Sequence, residues 1–386
     1  MKVLAITNLF PNNVNPQQGI FNKQQFSQLA KLCSLEVVAP VPWAPKLKSN
    51  DKRMLLADVT ETETIDGIKV YHPRYLVTPK VGRSLYGFWF YAGIQGTVQK
   101  IYKDFPFDVI FATWAYPDAF AASLVARQMN KPLVIKVHGT DVNVTSQYFL
   151  RRLMIKHALN QAKKVIAVSY PLKEKLIKMG IAAEKIVVIP NGIDAETFKR
   201  LDKTECQNKL SLPRDKKNVV YIGNLVPIKG VQYLIEAFEN VSDHACLHLV
   251  GDGDDRKKLE KIVNERNLSG NIKFYGRRPH QEIPYWLSAA DVFCLPSLNE
   301  GCPNVILEAL ACETPIVATK VGAIPEMILS EEQGMLVEPA NAQALAETIN
   351  MVITKPRNYF STIQPKKLSW QENAGRVKEV LQGALN

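Results

Sequence analysis

The 386-residue sequence predicts an α/β protein built of two domains, each around a parallel sheet. Three observations predict it. Short β-branched runs alternate with longer amphipathic stretches along the whole chain, the pattern of strand–helix–strand units. Most of the runs are apolar on both faces, as strands buried between helix layers are. The pattern also restarts near residue 195, and a chain of this length exceeds one ordinary core.

In the first half the spacing predicts strands at 3–7, 35–39, 68–71, 109–112, 133–137, 164–168 and 186–189. In the second half it predicts strands at 219–222, 247–250, 272–274, 292–295, 315–318 and 335–337. Residues 24–32, 172–178, 231–238 and 305–311 carry the apolar spacing of crossover helices. A charged, apolar-poor stretch at 194–218 marks the boundary. The division is therefore 1–195, then 196–367, with a tail helix at 368–386 that packs back on the first domain.

Composition narrows the function classes. With 46% hydrophobic and 22% charged residues the chain is globular. No apolar run approaches the ~20 residues that cross a bilayer, and residues 3–6 read as a first strand rather than a signal peptide. The six cysteines form no C-x-x-C pair and no His lies at metal spacing from them. A reduced, cytoplasmic, metal-free protein is the expectation. Charge is lopsided. Residues 1–195 hold 25 Lys+Arg against 13 Asp+Glu, a net of +12, whereas residues 196–386 hold 23 against 24. One half is expected to meet something anionic.

Three strand-to-helix junctions carry candidate chemistry. The first loop ends in Gly19, which would let a ligand approach backbone N–H groups at a helix start. The second runs from Gly223 through Asn224 and Lys229 to Gly230, with Lys229 where a phosphate would lie beyond the strand ends. Neither a Walker loop nor G-x-G-x-x-G is present. The third is Glu300-Gly301-Cys302-Pro303-Asn304, with Glu308 more than a turn along the helix that Pro303 opens. A diphosphate could rest on the N–H groups near Gly301 to Asn304.

That third string, NEGCPNVILEALACETPIVATKVGAIPEMI with its E-x7-E spacing, resembles the group 1 (family 4) retaining glycosyltransferases of the GT-B fold. The resemblance extends to GNLVPIKG, VGDGD, FYG and AADVFCLPS in the second half, and to VHGTD, VIAVS, PNGID and NPQQGIF in the first. It runs from about residue 3 to 339, and Trp370 is also placed as in the family. It includes bacterial exopolysaccharide and teichuronic-acid-type enzymes. It implies two Rossmann-like domains whose parallel sheets face a central cleft, and transfer of a sugar from a nucleoside-diphosphate sugar to a hydroxyl. The enzyme would be of hexosyltransferase type, without a metal or other cofactor.

The resemblance also implies roles. Glu300 would hold the donor sugar near the reacting carbon, Glu308 the ribose, and Lys229 the departing diphosphate. His138 would face the sugar from the first domain, and Gly19 would approach the sugar or phosphates. Backbone groups of Gly301, Cys302, Pro303 and Asn304 would complete the site. The family often has Arg where this chain has Asn224. Arg277 and Arg278 are candidates to supply the missing charge.

Other signals read more plainly. Asp252-Gly253-Asp254 looks like a D-x-D metal motif but follows a strand and opens a charged helix, so a helix cap is expected. Asp141 reads as a helix cap as well, ahead of acceptor contact. His157, His244 and His280 have no partner at useful spacing. Basic residues lie beside aromatic ones at 80–91 and 148–156, which predicts docking on an anionic membrane surface; the resemblance implies a polyprenyl-linked or growing polysaccharide acceptor at the inner membrane face. A nucleotide-sugar epimerase on the same fold, and a non-enzymatic membrane- or nucleic-acid-binding protein, are the alternatives. The chain carries no nucleic-acid motif.

Overall fold

A computed structural model describes residues 1–44, 54–78, 82–241, 243–356, 359 and 368–386. The chain divides into two compact units, Met1–Gly192 with Trp370–Asn386, and Ile193–Ser369.

The first unit contains β1 (Lys2–Ile6), β2 (Ser34–Val38), β3 (Val41–Pro42), β4 (Thr62–Ile65), β5 (Ile68–Tyr71), β6 (Arg74–Tyr75), β7 (Val109–Thr113), β8 (Leu133–Val137), β9 (Lys164–Ala167) and β10 (Ile186–Val188). Its main sheet has the order β10-β9-β8-β7-β1-β2-β5-β4. Every neighbouring pair is parallel except β4–β5. The interior strands β7 and β8 are buried throughout, which is why they read as continuous apolar runs. β4 alternates between exposed and half-buried and turns into β5 through Asp66 and Gly67, both at positive φ (49° and 79°). That is the Asp-Gly turn whose twist suits a two-residue hairpin. Strands β3, β4 and β6 go beyond the sequence expectation.

The helix Tyr86–Asp104 buries Phe90, Ile94, Val98 and Ile101, a spacing of three and four that marks one face. The tail helix Trp370–Gly383 packs on the helix Ile20–Leu29 of the same unit. Asn373 is fully buried; it accepts from Gln25 and donates to the Pro190 carbonyl at 2.6 Å. Gly192 must lack a side chain, because a Cβ there would lie 2.6 Å from the Trp370 Cα. The PNG string is thus partly a seat for the tail.

The second unit contains β11 (Lys217–Ile222), β12 (Ala245–Val250), β13 (Ile272–Gly276), β14 (Val292–Leu295), β15 (Ile316–Thr319) and β16 (Met335–Val337). The order is β13-β12-β11-β14-β15-β16, all parallel. In both units the chain reverses its direction of winding once: between β1 and β7 in the first, and between β11 and β14 in the second. Ligands of such sheets bind outside the strand C-termini at that point. The core of the second unit is centred on Trp286, Tyr221 and Phe293, each at most 1% exposed. Burying one such side chain contributes roughly 1.5–3 kcal/mol.

Candidate active site

In the second unit the switch point brings the sequence-predicted residues together. The loop after β11 carries Asn224 and Lys229, and the loop after β14 carries Ser297 and Glu300. The two loops are joined by the Leu298 N–H donating to the Ile228 carbonyl at 2.8 Å. They also touch at Gly230, φ 62°, where a Cβ would lie 2.1 Å from the Pro296 carbonyl oxygen. This close approach is why the phosphate-loop string ends in glycine.

Lys229 Nζ stands 2.6 Å from Glu300 Oε1, and the same oxygen accepts from Ser297 Oγ at 2.6 Å. Glu300 is 5% exposed, so the lysine and the serine hydroxyl compensate a carboxylate withdrawn from water. The helix Asn304–Ala311 starts directly behind it, with Pro303 at the cap position and no side-chain cap. No side chain caps its first turn, in which the Ile306 N–H donates to the Pro303 carbonyl at 3.0 Å, and a helix start of this kind carries positive dipole charge. Pro303 itself offers no N–H, so the donors of this turn begin at Asn304. Asn224 is exposed, and its carbonyl accepts from the Tyr221 hydroxyl at 2.8 Å. Arg277 and Arg278 are exposed on the loop after β13. Cys302 Sγ lies 4.0 Å from Met327 Sδ, a packing contact.

Glu308 has a partner that sequence reasoning did not see. His280 Nε2 lies 3.0 Å from Glu308 Oε1, and the His280 ring packs at a tilt against Phe198, centroids 5.0 Å apart. The expectation that His280 stands without a partner is corrected: 28 residues of separation conceal the pair. His248, likewise unremarked in the sequence, bridges Tyr275 and Asn218 in the core, and burial lowers its pKa to about 4.

The D-x-D string packs against the phosphate loop. Gly251 and Gly253 press on the phosphate loop, where Cβ atoms would lie 1.8 Å and 2.2 Å from the Gly223 and Leu225 carbonyl oxygens. Asp252 accepts from the Gly253 N–H at 2.9 Å. Asp255 occupies the cap of the helix Arg256–Glu265, but its side chain makes no cap bond, so the expected capping is not the reason for this acid. Among the described residues no group of three or more His, Cys, Asp or Glu is placed to hold a metal ion.

In the first unit, Gly19 starts the helix Ile20–Leu29 at φ 61°, and a Cβ there would lie 2.1 Å from the Leu9 carbonyl oxygen. Its glycine requirement is met by the chain's own backbone. His138 follows β8, between Phe21 at 4.7 Å and Trp114 at 6.1 Å. Its Nε2 is closed off from water with no hydrogen-bond partner. Burial, with Lys136 nearby, holds the ring well below the ordinary histidine range, so it is a neutral imidazole. Lys136, fully buried, donates to Asn191 of the PNG string at 3.0 Å. Asp141 does not sit at a cap; Gly139 holds that position. Its carboxylate instead accepts from the N–H groups of His138, Gly139, Val142 and Ala115 at 2.8–3.1 Å.

Comparison with known proteins agrees with this geometry. Residues 202–375 match the model of glycosyl transferases group 1, and residues 35–197 that of glycosyltransferase family 4. A putative teichuronic acid biosynthesis glycosyltransferase, TuaC of Bacillus subtilis, is 34% identical over 90% of this chain and 88% of its own length. An uncharacterized glycosyltransferase of Methanocaldococcus jannaschii is 28% identical over 71% of this chain and 74% of its own. The solved structure of Anabaena HepE in complex with UDP-glucose superposes with a TM-score of 0.76 at 22% identity, covering 99% of this chain and 100% of that one. Two parallel-sheet units of this kind define a glycosyltransferase of the GT-B fold. The chain belongs to the group 1, family 4 glycosyltransferases.

Proposed function

We propose that the enzyme moves a sugar from a nucleoside-diphosphate donor to a hydroxyl acceptor with retention of anomeric configuration. The observation that carries the donor reading is the Lys229–Glu300 pair at the β11/β14 switch point, in front of a helix without a side-chain cap. Lys229 and the helix N-terminus supply positive charge where the leaving diphosphate gains negative charge, the kind of preorganised stabilisation that lowers such barriers most. Chemistry of this kind proceeds without a metal when these groups take that charge. Glu300 holds the sugar's hydroxyls, and Glu308, oriented by His280, takes the ribose. His138, a neutral imidazole at the strand ends of the first unit, is the residue of that unit assigned to the donor sugar. Similar structures, HepE with UDP-glucose among them, hold a uridine nucleotide, which favours the same base here.

For the acceptor we infer a lipid-linked or growing cell-envelope saccharide, met at an anionic membrane surface. The relatives' names, teichuronic acid and amylovoran biosynthesis, point the same way. The helices Tyr86–Asp104 and Phe149–Gln161 both pack on the helix Phe120–Met129. Each also turns apolar residues to the solvent: Leu85, Phe88 and Trp89 beside the first, and Tyr148, Phe149, Leu150 and Leu153 along the second. The guanidinium of Arg151 lies over the Tyr148 ring and that of Arg152 over Phe149. Exposed aromatics with cations across them suit the boundary of headgroups and acyl chains. Lys80 lies outside the described residues, as does the side chain of Arg83. No helix among the described residues is long and apolar enough to cross a membrane.

The test is incubation with labelled UDP- and GDP-sugars, with and without a bacterial lipid extract. Label passing into the lipid phase with the donor's anomeric configuration supports the proposal. Inverted product, or conversion of the donor to an epimer with no transfer, would overturn it.

A further inference from the structure

Beside His138, Asp141 accepts from four backbone N–H groups. Its side chain is fully buried, and both oxygens are used. Oδ1 accepts from the N–H groups of His138 (3.0 Å), Gly139 (2.8 Å) and Val142 (3.1 Å), in the loop after β8 and the short helix Thr140–Asn143 that follows it. Oδ2 accepts from Ala115 N–H at 2.8 Å, in the loop after β7. One carboxylate therefore ties two neighbouring strand-end loops together.

What it ties is a pair of rings in unusual settings. Trp114, next to Ala115, has φ 97°, a backbone region that side chains other than glycine rarely adopt. It is held there from three sides: its N–H donates to the Lys136 carbonyl, its carbonyl accepts from Ala119, and its successor is bound by Asp141. The indole so placed stacks on the His138 ring, with the planes 30° apart. His138 is in turn anchored through its own N–H to the other oxygen of the same carboxylate.

We propose that Asp141 is a positioning residue for the transfer reaction: by holding the Trp114 and His138 loops in one arrangement it fixes the ring pair presented at the strand ends of the first unit. The inference rests on the proposed role of His138 at the sugar. The neighbouring charged groups are Asp118, on which the field of Asp141 acts, and Lys136, whose field acts on His138. Burial raises Asp141 to about 6, and the four N–H donors oppose that rise.

The experiment uses the full chain, with nitrogen-15-labelled His and Trp, and His138→Gln and Trp114→Phe to assign the two rings. In Asp141→Ala both loops lose their tie, so the His138 titration should move up by about one pH unit or more toward the ordinary value. Turnover should fall about tenfold or more, while UDP and GDP binding, a property of the second unit in this account, stays unchanged. Asp141→Asn covers the case in which the alanine variant does not fold. Its oxygen can still serve the β8 loop, whereas its amide faces the Ala115 N–H. The Trp114 resonance should then shift while the His138 titration holds. A folded alanine variant with both signals and turnover unmoved overturns the proposal, as does an asparagine variant with an unmoved Trp114 signal. Moved signals with unaltered turnover would uphold the clamp and remove His138 from the reaction.

Discussion

Lys229 offers the most quantitative handle on the donor site. Lys229→Ala removes a cation 2.6 Å from Glu300 Oε1 and leaves that carboxylate, 5% exposed, with the Ser297 hydroxyl on the same oxygen. Two losses follow, and they separate. In the free protein the pair is only partly shielded from water, with the lysine side chain 24% exposed, so solvent screens part of it. Its loss is worth about 1–3 kcal/mol, below the ~3–5 that follows breaking a fully buried pair. In the reaction the lysine is lost where phosphate charge grows, and removal of one such donor costs ~10²–10³ in kcat. A charge-assisted bond to the bound diphosphate is worth ~1.5–3 kcal/mol, so UDP affinity should fall by roughly 10- to 150-fold. The assay is calorimetric titration of UDP and GDP into wild type, Lys229→Ala and Lys229→Ala/Glu300→Gln, with thermal unfolding alongside. The double variant neutralises the stranded carboxylate, so it should recover stability relative to the single variant without recovering nucleotide affinity. Nucleotide affinity unchanged in Lys229→Ala, in a protein whose wild type binds, would refute the phosphate assignment.

The remaining predictions are shorter. Glu300→Gln should depress kcat by about tenfold or more with donor affinity nearly kept, whereas Glu308→Gln should act mainly on donor affinity; the reverse pattern in steady-state kinetics would exchange their roles. Turnover should survive EDTA, and its loss on chelation would revive the Asp252–Asp254 metal reading. Arg151→Glu with Arg152→Glu should weaken flotation with anionic vesicles, and wild type should release at high salt; equal recovery with neutral vesicles would point to a soluble acceptor. Asp141 is raised to about 6 from an unfolded value near ~3.9, so the folded state holds its proton over that window. Its contribution is present below about pH 4 and lost as pH rises through about 6, at most ~2.7 kcal/mol from the shift of roughly two units. His138, held low, acts in the opposite direction on acidification, so the quantity to measure is the difference. The stability of wild type minus that of Asp141→Asn should fall between about pH 4 and 6 in chemical denaturation, and a flat difference would contradict the shift.

The interior strands were legible because burial on both faces leaves no polar alternation; β8 and β14 are buried throughout and fall on the residues that the sequence predicts, as do the less buried β5 and β16. The edges were not. β4 is exposed on alternate residues, and its signal was the Asp66-Gly67 turn rather than hydrophobicity. The glutamate block was visible because two acids and a proline keep fixed spacing along one loop and helix. What the sequence could not show is which partners tertiary folding brings to them: Ser297 and Lys229 on one oxygen of Glu300, and His280 on Glu308. The same holds for Asp141, whose fourth donor, Ala115, lies 26 residues away on another strand end. Gly19 invites a ligand in sequence, and its position is also required by contact with the chain's own backbone, as those of Gly251 and Gly253 are.

The most direct test of the central claim, a donor nucleotide held by the strand-end loops of the second unit, is hydrogen–deuterium exchange of the full chain with and without saturating UDP or GDP. The account predicts that at least one nucleotide slows exchange in both the 223–230 loop and the 300–308 segment, with Lys229→Ala reducing the effect. Exchange in these two segments unaltered by either nucleotide would contradict it.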